Sequence, residues 1–243
     1  MSTTDGRSIT GYGSESVAAM ISRSSELVKR GLHLLDGRER QDELAIADLI
    51  RRAKAGAAAA QRKLGLAYAS GEGATRNDAE AALWFRRSAD QGDADAQANL
   101  GWAYALGLGV EKDETQALAW WRKAAEQGHA DNQMELAWVY AYGFCAPEDA
   151  REAARWYRRA AEQGHPAAQS FLGWCYATGR GVPNDRIEAH KWITLAVLRA
   201  RPWDDTLSSE SQKALVATMS AEEVDEARER VKQWIETFGR TQI

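Results

Sequence analysis

The sequence predicts an all-α protein, an α/α solenoid in which helix–loop–helix repeats of 36 residues stack into a right-handed superhelix. Three observations predict it. The first is an unbroken period. Leu64, Leu100, Leu136 and Leu172 stand 36 apart, and so do Tyr68, Tyr104, Tyr140 and Tyr176, Gly71, Gly107, Gly143 and Gly179, and Trp84, Trp120, Trp156 and Trp192. The second is helical spacing inside each unit, broken by glycine at the same places. The third is composition: ten tryptophans and only four prolines in 243 residues, with 44% hydrophobic and 27% charged residues. So few prolines permit long helices, and this balance excludes wholesale disorder.

The elements follow in chain order. Residues 1–14 read as disordered. Residues 15–57 read as N-terminal helices, with Val17, Met20, Ile21, Val28, Leu32 and Leu35 at helical spacing. Shifting back by one period places Ala45 under Ala81 and Gly56 under Gly92, so 22–57 is either a degenerate repeat or a cap. Four full units occupy 58–93, 94–129, 130–165 and 166–200. In each first helix, residues such as Ala60, Leu64 and Tyr68 recur every four positions and share a face. A glycine-rich stretch, GEGATRND or GLGVEKDE, ends that helix. The second helix then runs to Gly92, Gly128 or Gly164, placed where a helix end calls for a left-handed residue. Residues 201–243 supply two closing helices over the last repeat, and Ser220 with Glu223 predicts a capping box at the start of the second.

The unit LGWAYALGLGVEKDETQALAWWRKAAEQGHADNQ at 100–133 resembles the Sel-one-like repeat, a relative of the tetratricopeptide repeat. The Leu-Gly pair, the tyrosine, the Gly-x-Gly-Val loop and the Ala-x-x-Trp-x-x-Lys-Ala-Ala segment carry the resemblance. LGWCYATGRGVPND in the fourth unit repeats it. Departures are Ala74 for valine in the first loop, the third loop GFCAPED, and Ala137 where the other units have Gly65, Gly101 and Gly173. The resemblance implies a role in holding other proteins, with the first helices lining a concave side and no shared catalytic chemistry.

A helix advances about 100° per residue, so Trp102 falls about 200° from Leu100, away from the Leu/Tyr face. Leu66, Trp138 and Trp174 occupy the same place in their units. The expected partner-binding wall comprises Leu66, Asp95, Ala98, Trp102, Leu106, Asp131, Met134, Glu135, Trp138, Tyr142 and Trp174. Large apolar side chains turned from the core mark a recognition surface. The other reading, that each tryptophan wedges against a neighbouring first helix, remains open at this stage. If the rings of Trp102, Trp138 and Trp174 do line the groove, they form a ladder stepping by about 8–10 Å, the distance between packed helices. An extended chain with apolar residues or proline about three apart would match it. Trp84, Trp120, Trp156 and Trp192, by contrast, share a face with the alanines of the second helices and belong to the core. Arg86, Arg122 and Arg158 stand four residues before Asp90, Glu126 and Glu162, which reads as a solvated face of opposite charges.

Several chemistries lack their residues. No P-loop, metalloprotease motif or nucleophile elbow occurs, and the Gly-x-Gly pieces sit in repeat loops without the strand that a dinucleotide fingerprint needs. His129 and His165 lie 36 apart with no ligand cluster, and two cysteines give no disulfide framework, so neither a metal nor a cofactor is expected. A net charge of −4 gives no support for nucleic-acid binding. No apolar run reaches the roughly 18 residues of a membrane span, and the start MSTTDGRSITGYGSES lacks a signal-peptide pattern, so the expectation is a cytoplasmic protein. The function expected is non-enzymatic: a scaffold or adaptor that binds a protein or extended peptide. The alternative is a soluble inhibitor or immunity-type protein that neutralises one toxin or enzyme. The sequence leaves the partner and the oligomeric state open.

Overall fold

The computed structural model describes residues 39–199 and 206–238. All described elements are helices: α1 Glu39–Lys54, α2 Ala58–Ser70, α3 Asp78–Asp90, α4 Ala94–Leu106, α5 Glu114–Glu126, α6 Ala130–Tyr142, α7 Ala150–Glu162, α8 Pro166–Thr178, α9 Arg186–Arg199, α10 Thr206–Val216 and α11 Ala221–Phe238. The expected disorder of 1–14 and the apolar spacing from Val17 to Leu35 lie outside the described residues. The chain divides into two compact units, one ending at Trp84 and the other beginning at Phe85, so α3 carries the boundary.

The repeated helices start and stop by the same local chemistry. Asp93, Asp113 and Asp149 accept hydrogen bonds from backbone N–H groups of α4, α5 and α7, and Asn77 and Asp185 do so for α3 and α9. These are the donors that a helix leaves without an internal partner. At the other end, Gly71, Gly107, Gly143 and Gly179 take φ of 67–80° and return their N–H to the last turn. One position breaks the pattern. Cys145 stands in the column of Gly73, Gly109 and Gly181 and adopts φ 59°, a left-handed conformation that disfavours a side chain.

In the second unit, α4 packs on α5, α5 on α6, α6 on α7, α7 on α8 and α8 on α9, the antiparallel pairing of an α/α solenoid. Leu100, Leu136 and Leu172 are fully buried, and the alanines of the second helices surround them. Trp120, Trp156 and Trp192 are buried at 4–9% exposure, as their alanine-sharing face predicts. The first unit buries Leu64 with Ala53, Ala60 and Trp84, against Ile46, Leu49 and Ile50 of α1.

Two periodic links were not read from the sequence. Gln97, Gln133 and Gln169 are buried, and each donates its side-chain amide to the carbonyl of Ala89, Ala125 or Ala161 at the end of the preceding second helix, at 3.1, 3.4 and 3.1 Å. Gln127 and Gln163 complete two of these amides at 2.9 and 2.8 Å. Inside the first unit, Gln61 makes the same 3.1 Å bond to Ala53, so the end of α1 behaves as the second helix of a repeat. The arginines form the other link. Arg86, Arg122 and Arg158 donate to the hydroxyls of Tyr104, Tyr140 and Tyr176, each 18 residues on, and lie against those rings. This corrects the expected pairing with Asp90, Glu126 and Glu162: a tyrosine of the next first helix offers both an acceptor and a π face.

The last two described helices, α10 and α11, both pack on α9. Trp234 meets Trp192 edge to face at 6.4 Å, Arg230 binds Glu188 at 2.7 Å, and Arg186 reaches Glu223 and the Thr218 carbonyl. The capping box forms: Ser220 N–H donates to Glu223 at 2.8 Å, and Glu223 N–H donates to Ser220 Oγ at 3.2 Å.

The Leu-Gly pair has a steric cause. A Cβ on Gly101 would lie 2.7 Å from the Trp121 indole, and one on Gly173 would lie 2.6 Å from Ile193. Ala137 is tolerated in its unit, where the residue in the column of Trp121 and Ile193 is Tyr157. Gly101→Ala is expected to cost about 1–3 kcal/mol through overpacking, read as a fall in the urea midpoint.

Candidate functional site

The first helices α4, α6 and α8 present the residues expected to bind a partner. Each side chain's direction follows from its angle around the helix relative to the buried leucine. Trp102 and Trp174 are partly exposed, as are Leu106, Met134 and Glu135; Asp95, Asp131 and Tyr142 are exposed. Leu66 is also partly exposed, in the first unit.

Ala98 and Trp138 depart from the expectation, being buried at 6% and 9% exposure. The Trp138 ring packs 4.8 Å from Tyr142 and 6.1 Å from Phe144, so Tyr142 is what the surface of α6 presents. Trp102 is anchored as well, edge-on to Trp121 at 5.0 Å and tilted against Phe144 at 5.8 Å. Phe144, from the atypical loop GFCAPED, therefore fills the space between two first helices. The ladder of three open tryptophans is reduced to Trp102 and Trp174, with the tyrosine between them in sequence. A helical wheel gives the direction of Trp138 but not the loop ring that covers it.

Polar groups tie the same face together. Asp131 on α6 meets His165, the N-cap residue of α8. His165 Nδ1 accepts the Ala168 N–H, so Nε2 carries the hydrogen that faces Asp131 Oδ1 at 3.2 Å. Hydrogen bonding from His165 holds the Asp131 carboxyl below the usual range. The Trp102 indole lies near Glu135 and favours its charged form, yet Glu135 Oε2 is sealed from solvent and has no hydrogen-bond partner. Burial, aided by the charges of Asp131 and Asp95, pushes Glu135 up to about 7. Nothing in the sequence period marks this residue, because its column holds Lys63, Asn99 and Phe171.

Elsewhere the chemistry is quiet. Cys145 and Cys175 are free thiols, and burial pushes each up to about 11. Thiols with that environment are poor nucleophiles. Among the described residues no group of three or more His, Cys, Asp or Glu could hold a metal, and no helix is long and apolar enough to cross a membrane. The first unit has an open depression lined by Ile50, Lys54, Tyr68, Arg76, Glu80 and Trp84. Ile50 stands there in the column of Arg86, so Tyr68 lacks the arginine that the later tyrosines receive. Arg76 is engaged by Asp78, and Glu80 accepts from the Trp84 indole at 3.1 Å.

Two expectations follow. Trp138→Ala should cost as much as Leu136→Ala, both within about 2–5 kcal/mol, because both remove a buried side chain; paired denaturant melts check this. Glu135 sets a pH dependence. Its folded pKa lies above its unfolded value of 4.5, so its stabilising contribution is complete below pH 4.5 and is lost as the pH rises through about 7. Glu135→Gln should therefore be more stable than the parent by about 2–3 kcal/mol at pH 8, with the gap closing below pH 4.5. Urea midpoints of the two proteins across that range decide it.

A family model for the Sel1 repeat matches residues 58–93, 94–129, 133–165 and 166–199. Among solved structures, c5321, described as a protective antigen present in uropathogenic Escherichia coli strains and displaying an SLR fold, is similar with a TM-score of 0.70 and 32% identity, covering 90% of this chain and 47% of that one. A Sel1 repeat protein from Oxalobacter formigenes is similar with a TM-score of 0.65 and 34% identity, covering 72% of this chain and 50% of that one. The chain thus spans about half the length of each of these two structures. No curated protein matches it. Sel1 repeat proteins generally mediate protein–protein interaction and are typically non-enzymatic. Four matched repeats over more than half of the sequence, on helix pairs that pack in succession, make the chain a member of the Sel1 repeat family.

Proposed function

We propose that the protein is a non-enzymatic interaction scaffold or adaptor that holds an extended segment of a partner protein against its first helices. The observation that carries this reading is the contrast between the two sets of rings. Every second-helix tryptophan in the repeats is buried, whereas Trp102, Trp174 and Tyr142 keep surface open to solvent beside Leu106 and Met134. The fixed orientation of Trp102 supports it too: a ring already clamped against Trp121 and Phe144 loses little freedom on binding. Asp95, Asp131 and Glu135 give this surface a negative character, which suits a segment that carries positive charge.

The test is capture from native lysate by the full chain, with bound proteins identified by mass spectrometry, repeated with Trp102→Ala, Tyr142→Ala and Trp174→Ala after each is confirmed as folded. Loss of the same partner from these variants, and its retention by Arg155→Ala on the exposed side of α7, is the expected result. Equal capture by all of them would move the binding surface away from the first helices.

A further inference from the structure

The first-helix surface holds one carboxylate that the chain does not complete. Glu135 lies beside the Trp102 indole, and its Oε2 is covered without any hydrogen-bond partner. A buried acceptor left in this state destabilises the free protein, more so if charged, unless something outside the chain satisfies it. The charged groups that act on it are Asp131, one turn earlier on α6, and Asp95 on α4, and both are negative. His165 is bonded to Asp131 rather than to Glu135. The residue as a whole is half-buried, so its stem touches the surface, and the soft terminal torsion of a glutamate can turn either oxygen outward.

Resting on the scaffold reading, we propose that this place binds the guanidinium of an arginine carried by the partner's extended segment, with Glu135 as the buried acceptor, Asp131 as the outer charge and the Trp102 ring as the flat wall beside them. A guanidinium fits for three reasons. It is a planar fork of donors that can pair with a carboxylate through two bonds, it is more weakly hydrated than an ammonium, and it lies favourably on an indole face. The chain itself uses this stacking: Arg159 lies 4.5 Å from the Trp156 ring centroid and Arg180 lies 5.4 Å from that of Trp174. A neighbouring apolar or proline residue of the segment would rest on Met134 or Tyr142. The site belongs to one repeat only, because no other unit has an acid in the Glu135 column. It therefore sets the register of a segment that the remaining rings would bind with little preference for position.

The experiment uses the full ¹⁵N-labelled protein and reads the indole resonance of Trp102, assigned with Trp102→Phe. The probes are the peptide acetyl-Pro-Ala-Arg-Pro-Ala-Pro-amide and versions with Lys, norleucine or Glu in place of Arg. The arginine peptide should move the Trp102 resonance and bind at least about tenfold tighter than the norleucine peptide, with lysine between them and glutamate weakest. Glu135→Gln should remove most of that tenfold preference while still binding the norleucine peptide as the parent does. This variant is expected to be the more stable protein near neutral pH, so loss of folding does not confuse the result. Equal binding of the arginine and norleucine peptides overturns the arginine assignment but leaves the scaffold reading standing. An unchanged arginine preference in Glu135→Gln also overturns it, as does the absence of any shift at millimolar peptide. Failure of the scaffold reading shows separately, as a partner captured equally by all the ring variants.

Discussion

The buried glutamine amide between successive repeats is the interaction on which the second unit's geometry depends. A second helix ends with carbonyls that have no partner within the helix. The carbonyls of Ala89, Ala125 and Ala161 accept the N–H groups of Gly92, Gly128 and Gly164, which leaves each a second lone pair facing the next first helix. Gln97, Gln133 and Gln169 take it up by reaching back eight residues to Ala89, Ala125 and Ala161. Each bond fixes how far the next first helix sits from the end of its predecessor and at what rotation. The leucine one turn on, Leu100, Leu136 or Leu172, is then delivered to the centre of the core. At the last repeat Gln169 Oε1 has no partner, since Arg199 occupies the place of Gln127 and Gln163 and donates instead to the Gly164 carbonyl at 3.2 Å. The amide chain thus stops where the repeats give way to the closing helices.

Close approach sets the second constraint. A repeat of only 36 residues leaves no room for two large side chains where its helices cross. Gly101 meets the Trp121 indole, and Gly173 meets Ile193; the third crossing has Ala137 in the glycine column and Tyr157 in the column of Trp121. The third unit adapts elsewhere too. Phe144 comes in from its loop to lie against Trp102, Trp121 and Trp138, and Tyr157 stacks on Phe171 at 5.1 Å. The Tyr157 hydroxyl is left buried and without a partner, and burial raises its pKa well above the ordinary tyrosine value. The third repeat is the place where the common pattern is most altered, and it is also where the candidate surface carries its one buried acid.

That coincidence gives the proposed site its logic. A repetitive surface binds repetitively, because each unit offers a similar ring at a similar place. Specific register needs one feature that does not repeat. Glu135 is such a feature, beside an indole from the preceding first helix and acted on by two exposed carboxylates. Its cost to the free protein near neutral pH is of the kind that a binding surface carries and a purely structural position does not need.

The sequence by itself determined the helices, their order and the core. The period of 36 located Leu100, Leu136 and Leu172, the alanine faces and the left-handed glycines, because each of these depends on helical geometry within one unit. The capping box at Ser220 was legible for the same reason. Residues in phase but linked between units, the Gln97 column and the Arg86 column, were present in the same period. Their partners lie 8 and 18 residues away on other helices, and only packing identifies them. Tertiary structure alone decided which first-helix rings stay open. Trp102 and Trp138 hold equivalent positions on their helices and both meet Phe144, yet Trp138, which also meets Tyr142, is buried, while Trp102 keeps part of its surface open. It also decided that Glu135 Oε2 is covered, since the depth of a side-chain atom on a solenoid wall depends on its neighbours in the adjoining repeats, and no single helix contains that information.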